Sequence, residues 1–240
     1  IETRMAGVRD WMAEEQVDAL LVSAAPNVRW LTGFTGEGLL VLDAEGALLC
    51  TDCRYALQAA EEAPWLEVAA EGGHLDQAIA RLNAGGVKSA GFESAHVTYA
   101  SYQRLHEALE GARPMPLEDR IKRLRAVKDE GEIALIRRAA EIADAGFVEL
   151  RAQIAPGMTE REAAEELRRQ MVLRGAEKPS FDVIVASGPN GAMPHARPGE
   201  RVITEGDLIV IDWGAVYHGY CSDCTRTVIV GDPDGRQREV

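Results

Sequence analysis

A single periodic run, from Asp129 to Ile154, sets the framework of the C-terminal half of this chain. Its apolar residues recur at intervals of three and four positions, the period of an amphipathic helix. They are Ile133, Ile136, Ala140, Ala143, Phe147, Leu150 and Ile154. Pro156 and Gly157 end the run, because proline cannot continue a helix. We therefore predict one long helix over 129–154.

The predicted order of helices and strands differs before and after the start of this helix. Residues 4–112 alternate short apolar strands with amphipathic helices, an order typical of a compact α/β unit. After the long helix, Thr159 and Glu162 form a capping-box motif that begins a second helix. The remaining strand-like segments are 181–187, 207–214 and 219–231. Two long helices followed by strands indicate part of an α+β domain.

The segment 111–119 separates these two patterns and contains Pro114 and Pro116. Proline-rich and polar stretches are common at domain boundaries. We therefore assign residues 1–120 to an N-terminal α/β domain and residues 121–240 to a second, incomplete α+β domain.

Composition and charge exclude several classes of protein. The 240 residues include 26 basic and 39 acidic side chains, so the formal net charge is −13. This balance argues against binding to nucleic acid or to an anionic membrane surface. The sequence has no apolar run of membrane-spanning length, and its first residues lack the apolar segment of a signal peptide. We expect a cytoplasmic protein.

The four cysteines form two Cys-x-x-Cys pairs, Cys50 with Cys53 and Cys221 with Cys224. Both pairs lie in strand-like sequence, where residues three apart point to opposite faces. Neither pair is therefore suited to hold zinc, and we expect four buried, reduced thiols.

Two aspartates, Asp212 and Asp223, lie in the strand-like segments on either side of a predicted turn. A turn at 217–218 would place the two side chains directly opposite each other. A turn at 218–219 would offset them diagonally on one face, and only a loop of odd length would separate them onto two faces.

Two carboxylates at that distance repel unless something positive lies between them. An arginine, a shared proton or a divalent metal pair could supply the charge. Arg226 lies three positions from Asp223 and should point to the other face. Oxygen ligands suit hard or borderline ions, so a metal pair fits best. Two solvent-facing acids on an exposed sheet are the alternative.

These segments resemble the signature of the proline-specific metallopeptidases, the family of Xaa-Pro aminopeptidases and Xaa-Pro dipeptidases (prolidases). The resemblance lies in Asp-Trp-Gly at 212–214 and in Gly-Tyr-Cys-Ser-Asp-Cys-Thr-Arg-Thr at 219–227. Residues 181–203, 27–38 and 50–59 are similar to further parts of the same family. The resemblance implies a pita-bread catalytic domain preceded by a smaller, creatinase-like α/β domain.

The resemblance also implies a dinuclear metal site. Asp212 would bind one ion through both carboxylate oxygens, and Asp223 would bridge both ions. The metal would be manganese, with cobalt or zinc as alternatives. His195 matches the family's active-site histidine, which is not a ligand but lies beside the substrate and stabilises the tetrahedral intermediate.

The implied reaction is hydrolysis of an Xaa-Pro bond at the N-terminus of dipeptides or short peptides, and the implied assembly is a homodimer. In the family the N-terminal domain restricts access to short substrates. The glycine-rich loop Thr32 to Gly38 is the candidate for that role, with an ordinary connection between two elements as the alternative.

The family completes its metal site with a histidine and two glutamates from further strands, and those motifs do not occur in these 240 residues. The last ten residues, 231–240, resemble the approach to another helix. We therefore expect the missing ligands to follow Val240, and we expect the 240-residue chain alone to be inactive.

Three other functions share parts of this pattern. A creatinase-type amidinohydrolase has the same two domains without metals, and intact Asp212 and Asp223 argue against it. A methionine aminopeptidase has the acids but lacks such an N-terminal domain. A non-enzymatic peptide-binding module of the same fold would be free of Mn, Co and Zn, and metal analysis would identify it.

Overall fold

The computed structural model describes residues 1–44, 46–118 and 120–237. The chain divides into two units, Ile1–Val127 and Lys128–Val240. The boundary that we placed between residues 120 and 121 falls at the start of a helix, Arg120–Ala126, which the first unit includes.

The first unit follows the alternating order of strands and helices expected from the sequence. Its elements in chain order are α1 (Glu2–Glu14), β1 (Ala19–Val22), α2 (Ala25–Thr32), β2 (Leu39–Leu42), β3 (Ala47–Cys50), α3 (Ala56–Glu62), β4 (Glu67–Ala69), α4 (His74–Ala84), β5 (Ser89–Glu93), α5 (Tyr99–Ala108), β6 (Arg113–Leu117) and α6 (Arg120–Ala126). Within the described part of this unit, six strands form one sheet in the order β4-β3-β2-β1-β5-β6. Strand β2 is antiparallel to both of its neighbours, and the other pairs are parallel.

Apolar clusters cover both faces of this sheet, which is why β1 is buried at every position. Leu20 and Val22 pack in one cluster with Trp11 of α1. Leu21 packs in the other cluster with Leu82 of α4. Sheets covered on both faces have strands that are apolar throughout, rather than alternating with polar residues.

Two elements of the first unit differ from the sequence-based expectation. The segment with Pro114 and Pro116, read as a break, is the edge strand β6, in which the N–H of Arg113 donates to the Lys88 carbonyl at 2.8 Å. An edge strand tolerates prolines, because their missing N–H groups would face solvent. The glycine-rich loop assigned to Thr32–Gly38 begins one residue later than expected, because Thr32 is the last residue of helix α2. The sequence of residues 38–51 also predicts a β-hairpin with its turn at 44–46, and this turn includes Glu45, which lies outside the described residues.

The second unit contains two helices and a set of short strands. In chain order these are α7 (Glu130–Gln153), α8 (Glu160–Leu173), β7 (Lys178–Pro179), β8 (Ile184–Ser187), β9 (Leu208–Trp213), β10 (Ala215–Tyr217), β11 (Tyr220–Cys221) and β12 (Cys224–Ile229). Between residues 128 and 237, the strands form two antiparallel sheets of three strands, in the orders β11-β10-β7 and β12-β9-β8.

The two helices predicted for this unit are confirmed. Capping boxes begin both of them: Asp129 with Glu132 at α7, and Thr159 with Glu162 at α8. The buried stripe of α7 differs in part from the predicted one. Ile133 is exposed, and the apolar or small residues that are buried are Ala139, Ile142, Ala143, Gly146 and Leu150.

Strand β9 shows the alternation that fixes which face can carry a polar site. Ile209, Ile211 and Trp213 are fully buried in the cluster that includes residues of α7 and α8. The ring of Trp213 stacks on Phe147 of α7, with centroids 4.4 Å apart. The intervening residues, Asp212 among them, are only partly buried. Asp212 therefore lies on the face of the sheet that points away from the helices.

Each of the four cysteines, all of them in the described part of the chain, is a free thiol. The expectation of four buried thiols is wrong for Cys53 and Cys221, which are exposed, while Cys50 is buried and Cys224 half-buried. Burial raises the pKa of the Cys50 thiol to about 12, so that thiol stays protonated. Among the described residues, no helix combines the length and the apolar character needed to cross a membrane.

Candidate metal centre

The register of the β9–β12 hairpin decides how the two aspartates face each other. Asp212 lies opposite Thr225, and Val216 lies opposite Cys221. The turn is therefore at His218 and Gly219, both with positive φ, at 45° and 74°. The direct opposition of Asp212 and Asp223 expected from a turn at 217–218 is wrong, and the alternative turn at 218–219 offsets them diagonally.

The physical reason for this register is the conformation of the turn. Two-residue hairpin turns with positive φ at both positions match the right-handed twist of the strands. Glycine adopts such values without steric cost. A turn at 218–219 uses Gly219 in this way, whereas a turn at 217–218 would place Tyr217 in the left-handed region.

The hairpin places both aspartates on one face. Asp212 is half-buried, and its carboxylate accepts a 2.7 Å hydrogen bond from the Thr225 hydroxyl. Asp223 is exposed and lies two positions before Thr225. The N–H of Ser222 donates to the Ala215 carbonyl at 2.9 Å, so the register continues through the link between β11 and β12. Because side chains alternate along a strand, Asp223 lies on the same face as Thr225 and Asp212.

Gly214 lies opposite Asp223 in this register, and no larger residue fits there. A Cβ added to Gly214 would overlap the carbonyl oxygen of Ser222 and the hydroxyl of Ser180. That hydroxyl donates to the same Ser222 carbonyl at 2.8 Å. The glycine of the Asp-Trp-Gly segment thus allows a close approach of the backbone beside Asp223.

The residues adjacent to the two aspartates fasten the hairpin to α7. Trp213, next to Asp212, donates from its indole nitrogen to the Ala143 carbonyl at 2.9 Å. Ser222, next to Asp223, donates from its hydroxyl to the Ala139 carbonyl at 3.1 Å. The two carbonyls are four residues apart and therefore lie on one face of the helix. A helix thus holds the strand positions from which both carboxylates project.

A third contact extends this attachment. The Tyr220 hydroxyl donates to the Glu132 carboxylate of α7 at 2.9 Å, and Glu132 is buried. The Ser222 hydroxyl also accepts a 3.0 Å hydrogen bond from the N–H of Ala215. The hairpin is therefore held at Tyr220, Ser222 and Trp213, on both sides of the aspartate positions.

No ion pair among the described residues involves Asp212 or Asp223. Arg226, the nearest arginine in sequence, is exposed and donates to the backbone carbonyl of Thr225 at 2.7 Å. In the described ranges, no group of three or more His, Cys, Asp or Glu side chains is placed to hold a metal ion. The hairpin therefore presents two carboxylates, whose oxygen atoms are donors of the kind that divalent cations accept.

His195 lies in a separate segment between β8 and β9 and is exposed. Within the described part of the chain, no hydrogen bond or ion pair joins it to either aspartate. We define the His195 loop as residues 188–200. Its first part is a 3₁₀ turn, Gly188–Ala192. Ala196, next to His195, is buried.

Sequence reasoning missed the buried acid Glu160, which contacts the His195 loop. Glu160 is the first residue of α8 and is only 1% exposed. An acid in the first turn of a helix is favoured by the helix dipole. The helix dipole accounts for an acid at this position, so nothing in the sequence singles out Glu160. Its contacts with the His195 loop are visible only in the folded unit.

In the segment Thr32–Gly38 of the first unit, the loop after α2 is attached to α3. The backbone N–H of Thr35 donates to Glu62 at 2.7 Å, and the Thr35 hydroxyl donates to the same carboxylate at 2.8 Å. Gly33, at the end of α2, has φ 85°. The loop thus has a defined conformation, and its role in substrate access stays a prediction.

Comparison with known proteins covers almost the whole chain. Residues 134–240 match metallopeptidase family M24, and residues 4–127 match the creatinase/prolidase N-terminal domain. The uncharacterized peptidase YqhT of Bacillus subtilis is 37% identical over 239 residues, which are 99% of this chain and 68% of that protein. The Xaa-Pro dipeptidase of Pyrococcus furiosus is 33% identical, over 100% of this chain and 68% of that protein.

Solved structures give the same result. An Xaa-Pro dipeptidase from Bacillus anthracis superimposes with a TM-score of 0.94 at 36% identity, covering 99% of this chain and 67% of that chain. An X-Pro aminopeptidase from Thermotoga maritima has a TM-score of 0.87 at 38% identity, with coverage of 94% and 66%. The chain spans about two thirds of the length of these relatives. It belongs to metallopeptidase family M24, with a creatinase/prolidase-type N-terminal domain followed by a domain of the pita-bread fold.

Proposed function

We propose that this protein hydrolyses the Xaa-Pro bond at the N-terminus of dipeptides or short peptides, and that Asp212 and Asp223 hold two divalent metal ions for that reaction. One observation carries the proposal. By the register of the hairpin the two acids lie diagonally on one face, and among the described residues neither has an ion pair. Relatives that cover this chain are named Xaa-Pro dipeptidases.

The donor chemistry of the two acids fits a divalent cation. Each carboxylate offers two hard oxygen atoms, and manganese, cobalt and zinc all accept such ligands. Manganese is our first choice because oxygen donors suit it best. When bound, the metal pair would supply Lewis-acid activation of water and of the scissile carbonyl. In our proposal Asp212 and Asp223 would hold these ions through their carboxylate oxygens.

The chain's own residues orient these ligands. The Thr225 hydroxyl donates to one oxygen of Asp212 and so restricts rotation of the carboxylate. Trp213 and Ser222 hold the strand backbone on either side against α7. Groups that orient a ligand in this way raise metal affinity without contacting the metal.

His195 acts on the substrate in this proposal, not on the metal. Its imidazole donates a hydrogen bond to the oxyanion that develops at the scissile carbonyl. An Xaa-Pro bond is a tertiary amide and has no N–H. The enzyme must therefore recognise it through the carbonyl and the proline ring, and a donor aimed at the carbonyl oxygen contributes to specificity as well as to rate.

The proposal has further parts that concern the whole protein. It acts in the cytoplasm as a homodimer, and the loop Thr32–Gly38 limits the length of peptides that reach the site. Relatives named dipeptidase and aminopeptidase both cover this chain, so the preferred peptide length is open to test.

The test uses the full-length gene product with added manganese. Xaa-Pro dipeptides and Xaa-Pro tripeptides are compared as substrates, with Asp212→Asn and Asp223→Asn as variants. Asp144→Asn is the control, because Asp144 is an exposed acid on α7. We expect the first two variants to lose at least a hundredfold in kcat and the control to match wild type.

Wild-type activity that survives in both variants would overturn the proposal. Wild-type protein that cleaves no Xaa-Pro peptide and binds no Mn, Co or Zn would favour a peptide-binding module. Hydrolysis of an amidino substrate without metal would favour a creatinase-type enzyme.

A further inference from the structure

A buried carboxylate joins the two ends of the His195 loop. One oxygen of Glu160 accepts hydrogen bonds from the backbone N–H and from the hydroxyl of Ser187, both at 2.8 Å. Ser187 is the residue that directly precedes the loop. The other oxygen accepts from the N–H of Gly199, near the end of the loop, at 3.3 Å.

Asn190 connects the two oxygens within the loop. Its side-chain amide donates to Oε1 of Glu160 at 3.0 Å and to Oε2 at 3.1 Å. Backbone contacts of α8 reinforce the end of the loop: the N–H of Arg161 donates to the Gly199 carbonyl at 3.1 Å. His195 lies between Asn190 and Gly199 in sequence, so the segment that carries it is fixed on both sides by one side chain.

An ion pair between Arg201 and Asp207 also supports the start of the loop. Arg201 donates to the Ser187 hydroxyl at 2.5 Å and to both oxygens of Asp207 at 2.7 and 3.0 Å. Gly188, with φ 50°, passes close to this pair, since a Cβ there would lie 2.5 Å from the Arg201 guanidinium and 2.7 Å from the Asp207 carboxylate. The turn into the loop is therefore closely packed against charged groups.

Burial of the Glu160 carboxylate is costly unless hydrogen bonds replace its hydration. A buried carboxylate must recover its lost hydration from hydrogen bonds, and Glu160 does so with donors from three residues of one segment. Helix capping does not require this carboxylate, because Thr159 and Glu162 already form the capping box of α8. All the side-chain hydrogen bonds of Glu160 point to Ser187 and the His195 loop.

We propose that Glu160 is a positioning residue: it holds the His195 loop so that the imidazole is presented to the substrate. This inference rests on the proposed function, in which His195 stabilises the oxyanion. Glu160 itself touches no substrate. Its loss should change the placement of His195 while the metal ligands on β9 and after β11 stay in place.

The first experiment measures backbone amide exchange by mass spectrometry on the full-length gene product. The variant is Glu160→Gln, in which an NH2 group replaces an acceptor and faces the donors of Ser187 and Asn190. The control is Glu165→Gln, an exposed glutamate on the same helix. We expect exchange in residues 188–200 to rise at least tenfold in Glu160→Gln, with a smaller change in α7, and no change in the control.

Two results would overturn the inference at this stage. One is unchanged exchange in the His195 loop. The other is an equal rise in all segments of residues 128–237, which would mean a general loss of stability. If Glu160→Gln fails to fold, Asn190→Ala removes only the bridging amide and should raise exchange in the same loop, by a smaller factor.

The second experiment measures kinetics of the full-length gene product on an Xaa-Pro dipeptide. We expect Glu160→Gln to lower kcat at least tenfold with KM changed less than threefold. In a His195→Ala background the same change should add no further loss, because Glu160 acts through His195. A purely structural role would give losses that multiply.

The outcomes separate this inference from the proposed function. If the wild type hydrolyses Xaa-Pro peptides and the two losses multiply, the inference fails and the function stands. If the wild type cleaves no such peptide, the function fails, and the exchange experiment still decides whether Glu160 holds the loop.

Discussion

The Thr225 hydroxyl donates a 2.7 Å hydrogen bond to the Asp212 carboxylate across the β9–β12 pair. Thr225 lies directly opposite Asp212 in the register. The hydrogen bond uses one oxygen of Asp212, Oδ1, and restricts rotation of the carboxylate. It therefore links the hairpin register, which the turn sets, to the geometry of the proposed metal ligand.

Thr225→Val should weaken metal binding without unfolding the protein. Valine keeps the β-branched shape at this exposed strand position and removes only the hydroxyl. Loss of a hydrogen bond to a ligand typically lowers metal affinity by about 10–100-fold. The measurement is a manganese titration of the full-length gene product. Thr227→Val, two positions along the same face, is the control, and equal affinities in the two variants would contradict this role.

Ser222→Ala should destabilise the second unit. The change removes the bond to the Ala139 carbonyl and leaves the buried N–H of Ala215 without the hydroxyl that accepts from it. A buried group left unsatisfied costs about 1–3 kcal/mol. Urea unfolding of the full-length gene product measures the difference. Cys221→Ala, at the exposed neighbouring position, should change the free energy of unfolding by less than about 0.5 kcal/mol.

Gly214→Ala should be more harmful than its small change in volume suggests. The added Cβ would meet the Ser222 backbone carbonyl, which cannot move without shifting the strand that leads to Asp223. Overpacking of this kind costs about 1–3 kcal/mol. Gly235→Ala is the control, because nothing lies within 4 Å of a Cβ at that position. Equal free energies of unfolding for the two variants would show that the hairpin tolerates a side chain at 214.

The Arg201–Asp207 pair should give the second unit an acid-sensitive stability. The hydrogen bond from Arg201 is the main reason that the pKa of Asp207 lies below its usual value, and bonds from Thr204 add to the effect. A carboxyl whose pKa is depressed by folding contributes stability above its unfolded pKa, about 3.9. That contribution is lost as the pH falls through the lower, folded pKa.

The measurement is the free energy of unfolding as a function of pH for wild type and for Asp207→Asn. We expect the difference between them to shrink as the pH falls below about 4. Asp144→Asn, at an exposed position of α7, should leave the pH dependence unchanged. A wild-type curve that runs parallel to the Asp207→Asn curve down to low pH would contradict this assignment.

The helices of the second unit were predictable because their signals are local. The three-and-four spacing identified α7, and the residues of both capping boxes lie within three positions of each other. Helix α2 was not predictable in this way. No side chain of its own caps it, and the N–H groups of Ser23 and Ala24 instead donate to Glu93 of β5 at 2.6 and 2.7 Å.

In the candidate site too, local features were predictable from the sequence and tertiary contacts were not. The sequence pattern identified Asp212, Asp223 and a choice of two turns, but the choice depended on which residues accept positive φ. Glu160 could not be found, since its partners at 187–199 approach it only in the folded unit. The spatial relation of His195 to the aspartates is likewise a tertiary property that residue spacing does not contain.

The most direct test of the paired-acid site is the metal content of the full-length gene product. The protein is equilibrated with manganese and dialysed, and bound manganese is measured by elemental analysis for wild type and for the double variant Asp212→Asn/Asp223→Asn. We expect about two ions per chain in the wild type and almost none in the double variant. A double variant that retains the wild-type manganese content, while remaining folded, would contradict the paired-acid site.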